Sequence, residues 1–231
     1  MSTATANGPL RVGLMVPANN TTMEVELAAW LPSDSTITTV KIPRGAGLLT
    51  SETLPAYRDS AIVLARQHFT GGQHDLIAYG CTAAGFISGP AGDAELQTML
   101  TQATGLPVVT TARAMVSALQ HDGAKQIAVV TPYNDVVNTQ LAAFLADGGI
   151  SVARMDTFRA PDVIALGKIT AVQVRDLARA TMGADCDALF IGCSQLPTHA
   201  ILDGLQQEFK RPTWSSICAT AWDAKRLRLA A

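Results

Sequence analysis

One short pattern occurs twice in this 231-residue chain, and the repetition restricts the folds that the chain can adopt. Asp75–Thr82 and Asp187–Ser194 each contain an acidic residue, an apolar run, a glycine, a cysteine and a hydroxyl residue, and the copies lie about half a chain length apart. An apolar run of this length, ended by glycine, is typical of a buried parallel strand that meets its loop. The pattern therefore predicts two similar units, each with a cysteine at the end of a strand.

Two further pairs of motifs follow in the same order in each half. A strand ended by proline and a polar loop occurs at Pro17 and Pro132, and a proline-led strand ending in two hydroxyl residues occurs at Thr110–Thr111 and Ser215–Ser216. Strands and helices alternate throughout, which predicts parallel sheets. We therefore predict an α/β fold with two pseudo-symmetric, flavodoxin-like parallel-sheet halves. Ligands of such sheets bind at the carboxyl ends of strands, which predicts an active site between the halves.

The predicted organisation is a flexible tail over 1–10, a first half over 11–118 and a second half over 119–231. The C-terminal helix could pack on the first half. The glycine-containing stretch 43–53 is predicted to be a loop that could act as a lid. Glycines and Ser88 between Cys81 and Pro90 predict a loop or short turn there, and 159–169 is predicted to be irregular.

Composition excludes several classes of function. Hydrophobic residues make up 48% and charged residues 16% of the chain, which is too apolar for a disordered protein. Net charge is −2 and no long basic cluster occurs, so neither a nucleic acid nor a membrane is an expected partner. No apolar stretch approaches the roughly 18 residues of a membrane-spanning helix, and the first ten residues lack the features of a signal peptide. We expect a cytoplasmic protein whose four cysteines are free thiols.

Sequence motifs for a metal or a cofactor are missing. No His, Cys, Asp or Glu residues occur at the spacing of a metal site, and no glycine-rich dinucleotide or phosphate loop follows a strand. We therefore expect neither a metal nor a cofactor.

Cys81 and Cys193 are the candidate catalytic residues. Each follows a glycine at a strand end, where backbone N–H groups and helix dipoles are expected to lower the thiol pKa. Two opposed thiols can deprotonate one face of a carbon and reprotonate the other, or one can add to an alkene while the other handles the proton. The alternative is that both are small buried apolar side chains, an interpretation that we favour for Cys186 and Cys218.

Short donors at the same strand ends suit the binding of a carboxylate. The alternative for such residues is ordinary helix capping. A phenol after Pro132 could donate to a substrate oxygen, or it could simply pack at the strand end. The candidate substrate-binding residues are Pro17, Asn20, Thr82, Thr111, Tyr133 and Ser194.

These residues resemble a known group of enzymes. The segment Val16–Glu24, the Gly-Cys-Thr of 80–82, the Thr-Pro-Tyr of 131–133 and the second cysteine are similar to the aspartate/glutamate racemase superfamily, in its branch of maleate cis-trans isomerase and arylmalonate decarboxylase. The resemblance implies chemistry without a cofactor on a small mono- or dicarboxylate. It implies that Cys81 is the nucleophile, that Cys193 supplies and recovers a proton, and that Asn20 and Tyr133 hold carboxylates. It also implies that a decarboxylase would have glycine at the first cysteine, whereas this chain has both cysteines.

The chain departs from the isomerase pattern in two places. The stretch 159–163 lacks the second binding asparagine of the isomerases, and 83–86 differs from their bulkier apolar run. We predict a cofactor-independent, two-cysteine isomerase of a small carboxylic acid, either a maleate-type cis-trans isomerase or a racemase. The alternatives are an arylmalonate-type decarboxylase with Cys193 as proton donor, and a small-acid binding protein without catalysis. We expect a homodimer or a higher homo-oligomer.

Overall fold

The fold is known from a computed structural model that describes residues 8–44 and 47–230. Residues 1–7 of the predicted tail, and residues 45 and 46 of the predicted 43–53 loop, lie outside the described residues. The described end of the predicted tail joins the core, because Leu10 is buried and its N–H donates to Ser35 Oγ at 3.0 Å.

Two four-stranded parallel sheets form the centre of the molecule, and they share one strand order. The first sheet has the order β2-β1-β3-β4 and the second has the order β6-β5-β7-β8, so the second half repeats the topology of the first. The predicted α/β fold with two similar halves is confirmed. The strands are β1 (Arg11–Pro17), β2 (Thr36–Ile42), β3 (Leu76–Tyr79), β4 (Val108–Thr110), β5 (Gln126–Thr131), β6 (Ser151–Thr157), β7 (Ala188–Ile191) and β8 (Thr213–Ser215).

Helices connect the strands and cover the sheets. Because each connection joins parallel strands, it must cross over a face of the sheet, and a helix is the usual means. The first half contains α1 (Met23–Trp30), α2 (Leu54–His68), α3 (Thr82–Phe86), α4 (Gly89–Thr104) and α5 (Thr111–His121). The remaining helices are α6 (Asp135–Asp147), α7 (Val163–Gly167), α8 (Ala171–Thr181), α9 (His199–Phe209) and α10 (Ser216–Ala230).

Three stretches differ from the sequence prediction. The stretch after Cys81 is not a loop, because it forms α3 and the start of α4. The stretch 159–169 contains α7, which Asp162 caps by accepting from Ile164 N and Ala165 N. The last helix begins at Ser216, about one turn earlier than predicted, and Ser215 Oγ accepts from Cys218 N in that first turn.

An apolar core runs through both halves, and a second apolar cluster lies within the first half. The central strands β3 and β7 are buried along their whole length, as expected for parallel strands that are covered on both faces. Helix α5, which contains the predicted boundary at 118 and 119, packs against α10, and α10 also contacts α1. The carboxyl ends of β1 and β3 in one sheet, and of β5 and β7 in the other, therefore face a common region.

Within the part of the chain that the structure describes, no helix combines the length and the apolar character needed to cross a membrane.

Candidate active site

Both candidate cysteines line one small cavity between the two halves. Cys81 follows β3 and Cys193 follows β7, so the cavity lies at the carboxyl ends of the central strands. Its volume is about 40 Å³.

Most of the predicted binding residues lie at this cavity. Pro17, Asn20, Thr82, Tyr133 and Ser194 all line it. Only Thr111, among the residues predicted from sequence, does not.

The Thr111 hydroxyl is engaged elsewhere. It donates to Tyr79 O at 3.0 Å and lies 3.1 Å from Thr220 Oγ1, so it joins β3 to α10 behind the cavity. Its predicted place among the substrate-binding residues is corrected accordingly.

The Cys81 thiol is held at the start of α3. A side chain at the preceding Gly80 would come within 2.8 Å of Val16 Cγ1, so only glycine lets β3 end so close to β1. Burial raises the pKa of the Cys81 thiol above its ordinary value, although the Ala84 N–H, the Arg44 charge and the Tyr57 hydroxyl oppose the increase. The predicted lowering of this pKa is therefore wrong, because the loss of solvent outweighs the favourable neighbours.

The Cys193 backbone adopts a conformation that is unusual for a residue with a side chain. Its φ is 142°, in a region that only glycine adopts freely. Its N–H donates to Ser216 Oγ at 2.9 Å, and its Sγ accepts from Gln195 N at 3.5 Å. Burial raises the pKa of this thiol to about 11, which again contradicts the predicted lowering. Strained backbone of this kind concentrates at functional sites.

Tyr133 stands next to the second thiol. Burial raises its pKa well above the ordinary value, with the neighbouring Cys193 thiol as the next cause, so the phenol stays protonated and can donate a hydrogen bond. Its hydroxyl also lies close to that of Thr82, and its ring meets Phe86 edge to face at a centroid distance of 5.6 Å. The Thr82 hydroxyl is buried, and apart from the neighbouring Tyr133 phenol it has no hydrogen-bond partner among the described residues, which leaves it able to bind a ligand.

Asn20 and Ser194 connect the two halves beside the cavity. Asn20 Nδ2 donates to Ser194 O at 3.1 Å and to Ser194 Oγ at 3.2 Å, and Ser194 Oγ donates to Gly80 O at 2.7 Å. Asn20 Oδ1 accepts from Met23 N at 2.9 Å, which is the capping role weighed as the alternative for this residue. Asn20 therefore orders the site walls as well as facing the cavity.

Sequence analysis missed several residues of the cavity. Leu48 and Leu49 in the loop after β2, Val137 in α6 and Leu166 in α7 form the apolar part of the lining. Gln195, which follows Ser194, is also part of the lining. The signal for Gln195 was its place next to the repeated Gly-Cys-hydroxyl motif. No local sequence signal distinguished the apolar lining residues, because leucine and valine are common in every hydrophobic core.

Arg44 was missed as well. It lines the cavity from the loop after β2, and it is the one charged residue among the described lining residues. A lone arginine next to Pro43 in a glycine-rich loop was the available signal. Among the described residues, no cluster of three or more His, Cys, Asp or Glu side chains is arranged to hold a metal ion.

The fold and the cavity together define a class of α/β protein in which two similar halves enclose a cavity lined by two thiols. The chain belongs to the arylmalonate decarboxylase family, whose model matches residues 12–230. This match spans both sheets and both cysteines, and it confirms the branch to which the motifs pointed.

Similar proteins carry two different activities. The chain is 31% identical over 185 residues to the arylmalonate decarboxylase of Bordetella bronchiseptica, covering 79% of this chain and 77% of that protein. It is 25% identical over 224 residues to a maleate isomerase of Geobacillus stearothermophilus, covering 92% of this chain and 89% of the relative.

A solved structure agrees with both comparisons. It is a liganded arylmalonate decarboxylase variant in which one glycine is replaced by cysteine and one cysteine by serine, with 26% identity, a TM-score of 0.84, and coverage of 97% of this chain and 93% of that one. Because these relatives are enzymes, the chain is an enzyme of the cysteine-based isomerase or decarboxylase type, and the alternative of a binding protein without catalysis is not retained.

Proposed function

We propose that this chain is a cofactor-independent isomerase that interconverts the cis and trans forms of a small unsaturated dicarboxylic acid of the maleate type. The observation that carries the proposal is the presence of two thiols, Cys81 and Cys193, in one small cavity. A decarboxylase needs one proton donor at the reacting carbon, whereas addition to and elimination from a double bond use a nucleophile and a separate proton carrier. The resemblance to maleate isomerases over most of the chain supports the same assignment.

The proposed reaction begins when Cys81, which is protonated at rest, gives up its proton to solvent and becomes a thiolate. It forms a C–S bond with one alkene carbon, and the π electrons move to the neighbouring carbon and its carboxylate as an enediolate. Cys193 donates its proton to that carbon, which leaves a single bond about which the two carboxylate-bearing ends rotate. Return of the proton to Cys193 and cleavage of the C–S bond release the trans acid and the Cys81 thiolate, so no atom is gained or lost.

The raised pKa of Cys193 suits its role as the proton donor. With its pKa at about 11, Cys193 holds a proton at neutral pH and can serve as the donor. Several groups oppose the increase at Cys81: the Ala84 N–H, the Arg44 charge and the Tyr57 hydroxyl. Thr82 and Tyr133 supply hydroxyl donors for the enediolate oxygens, where developing charge is best stabilised by fixed donors.

The proposal is tested by incubating the protein with maleate and following fumarate by absorbance or NMR. Cys81→Ala and Cys193→Ala should each lower turnover by at least about 100-fold, the scale of a lost nucleophile or general acid. Cys218→Ala is the matched control, because Cys218 is a free thiol that does not line the cavity, and its activity should stay within about twofold. Full activity in either of the first two variants would sink the proposal.

A cofactor-free decarboxylase is the second candidate. The 31% identity to the decarboxylase and the apolar lining from Leu48, Leu49 and Leu166 favour it, because such a surface suits a hydrocarbon substituent of a malonate. Loss of CO₂ would leave an enediolate that Cys193 protonates. Incubation with phenylmalonate separates the two functions: a decarboxylase should release CO₂ and keep that activity in Cys81→Gly but not in Cys193→Gly, whereas an isomerase should release none.

A further inference from the structure

The Arg44 side chain carries a positive charge to the cavity without a matching negative charge from the described residues. Its Nη2 donates to Gly47 O at 2.6 Å, and its Nε is buried with no hydrogen-bond partner among the described residues. No carboxylate of the described residues lies within ion-pair distance of it, although nine other such pairs occur.

An arrangement of this kind is costly to the empty protein. A buried donor that has lost its water and gained no acceptor destabilises the protein, and the cost is larger when the donor belongs to a charged group. The Gly47 carbonyl that Arg44 binds is neutral, so it does not compensate the charge. A guanidinium in this state presents a ready partner for a carboxylate, with which it forms charge-assisted hydrogen bonds.

The charge of Arg44 affects the pKa values of groups on both sides of the cavity. It opposes the increase in the pKa of Cys81 and of Cys193, which lie on different halves. It acts in the same direction on the pKa of Tyr57, beside Cys81. Arg44 also lines the same cavity as both thiols, so its guanidinium lies close to the space where a substrate would meet them.

The other polar groups of the cavity are neutral. Thr82 and Tyr133 can offer hydroxyl donors, which suffice for one carboxylate that also carries the developing negative charge. A second carboxylate in the same apolar space would remain an unpaired buried anion unless a cation met it. Arg44 is the described lining residue that carries such a charge.

We propose that Arg44 is the specificity-determining residue that binds the second carboxylate of a dicarboxylate substrate, so that this site prefers dianions over monocarboxylates of equal length. The inference rests on the proposed function, since it names the ligand class of the same cavity. Pairing with Arg44 would also reduce the repulsion between a substrate dianion and the approaching Cys81 thiolate.

The test measures binding without turnover. Succinate has the length and both carboxylates of the proposed substrate but no double bond, and butyrate has the same chain with one carboxylate. Isothermal titration of both acids into wild type, Arg44→Gln, Arg44→Lys and Arg66→Gln gives the four comparisons needed. Arg66 is the matched control, because it is an exposed arginine on α2 with no assigned contact at the cavity.

The expected result is a selective loss. Wild type should bind succinate more tightly than butyrate, and Arg44→Gln should weaken succinate by roughly tenfold or more, the scale of one hydrogen bond to a charged group, while butyrate changes less than about twofold. Arg44→Lys should fall between, because lysine keeps the charge without the planar fork. Arg66→Gln should match wild type.

Three results would overturn the inference. They are equal weakening of both acids in Arg44→Gln, unchanged affinity for succinate in that variant, and absence of any succinate preference in wild type. The maleate assay keeps the two proposals apart. If wild type binds succinate through Arg44 but leaves maleate unchanged, the isomerase proposal is refuted and the dicarboxylate site is kept. If maleate is turned over equally well by wild type and Arg44→Gln, the role of Arg44 is refuted and the isomerase proposal is kept.

Discussion

At the scale of single residues, the resting site is a pair of protonated thiols. Burial dominates the pKa of both Cys81 and Cys193, and nearby donors only moderate it. The two moderating phenols are different: the Tyr57 hydroxyl favours the Cys81 thiolate, and the Tyr133 hydroxyl favours the Cys193 thiolate. Each thiol therefore has its own tyrosine, and the two ionisations can be altered separately.

The rate of alkylation by iodoacetamide, followed against pH with peptide mapping, measures these ionisations, because the thiolate is the reactive form. The midpoint for Cys193 should lie at about 11, and that for Cys81 should lie above the ordinary value for a cysteine. Tyr133→Phe should raise the midpoint of Cys193, whereas Tyr57→Phe should raise that of Cys81. Each variant serves as the control for the other, and a midpoint near 8.5 for either thiol in the folded protein would contradict the prediction.

At the scale of elements, the short helix α3 sets the position of Cys81. It packs against α5 so closely that a Cβ at Gly85 would overlap Ala112 Cβ and lie 2.8 Å from Asp93 Oδ1. Neither neighbour can give way easily, because Ala112 Cβ is fixed to the backbone and Asp93 is fully buried and bonded to Thr110. The glycine that suggested a loop from sequence is thus required by packing within a helix.

Gly85→Ala should destabilise the protein by about 1–3 kcal/mol, the usual cost of overfilling a packed core. Gly204→Ala is the matched control, because Gly204 is exposed in α9 and a Cβ there would have nothing within 4 Å, so alanine should be neutral or stabilise by up to about 1 kcal/mol. Urea unfolding of both variants measures the difference. Equal unfolding midpoints would show that α3 does not depend on this contact.

Features with a local sequence signal could be predicted, whereas features that depend on packing partners could not. The repeat predicted both sheets and placed both cysteines correctly, because apolar runs and strand ends are local signals. It missed α3 and α7, since Gly85 and the Asp162 cap take their meaning from partners distant in space or from a few short contacts. It predicted lowered thiol pKa values because strand-end donors are visible in sequence, whereas the burial that outweighs them is a property of the whole fold.

At the scale of the whole molecule, hydrogen bonds across the site hold the two halves together. Besides the Asn20–Ser194 contact, Gln195 and Thr21 bond each other twice, and the Glu26 carboxylate accepts from Thr198 N at 2.7 Å and from Thr198 Oγ1 at 2.9 Å. These contacts join α1 and the loop before it, in the first half, to the segment that follows Cys193. The spacing of the two thiols therefore depends on the interface as well as on either sheet.

Glu26→Ala should lower the free energy of unfolding by about 1–3 kcal/mol, because it leaves the Thr198 donors without their charged acceptor. Glu24→Ala, at an exposed position on the same helix, should change it by less than about 0.5 kcal/mol. Thermal or urea denaturation gives both values. Similar effects of the two substitutions would mean that helix α1, and not the contact between halves, accounts for the change.

The backbone conformation at Cys193 affects the outcome of directed evolution for thermal stability. A φ of 142° burdens every side chain, and strain of this kind costs about 1–3 kcal/mol, which glycine would escape. A selection for stability alone would therefore favour variants with glycine in place of Cys193, and these variants would be stable but inactive. Cysteine at this position is retained at the expense of the fold, so selection for activity has to accompany any selection for stability.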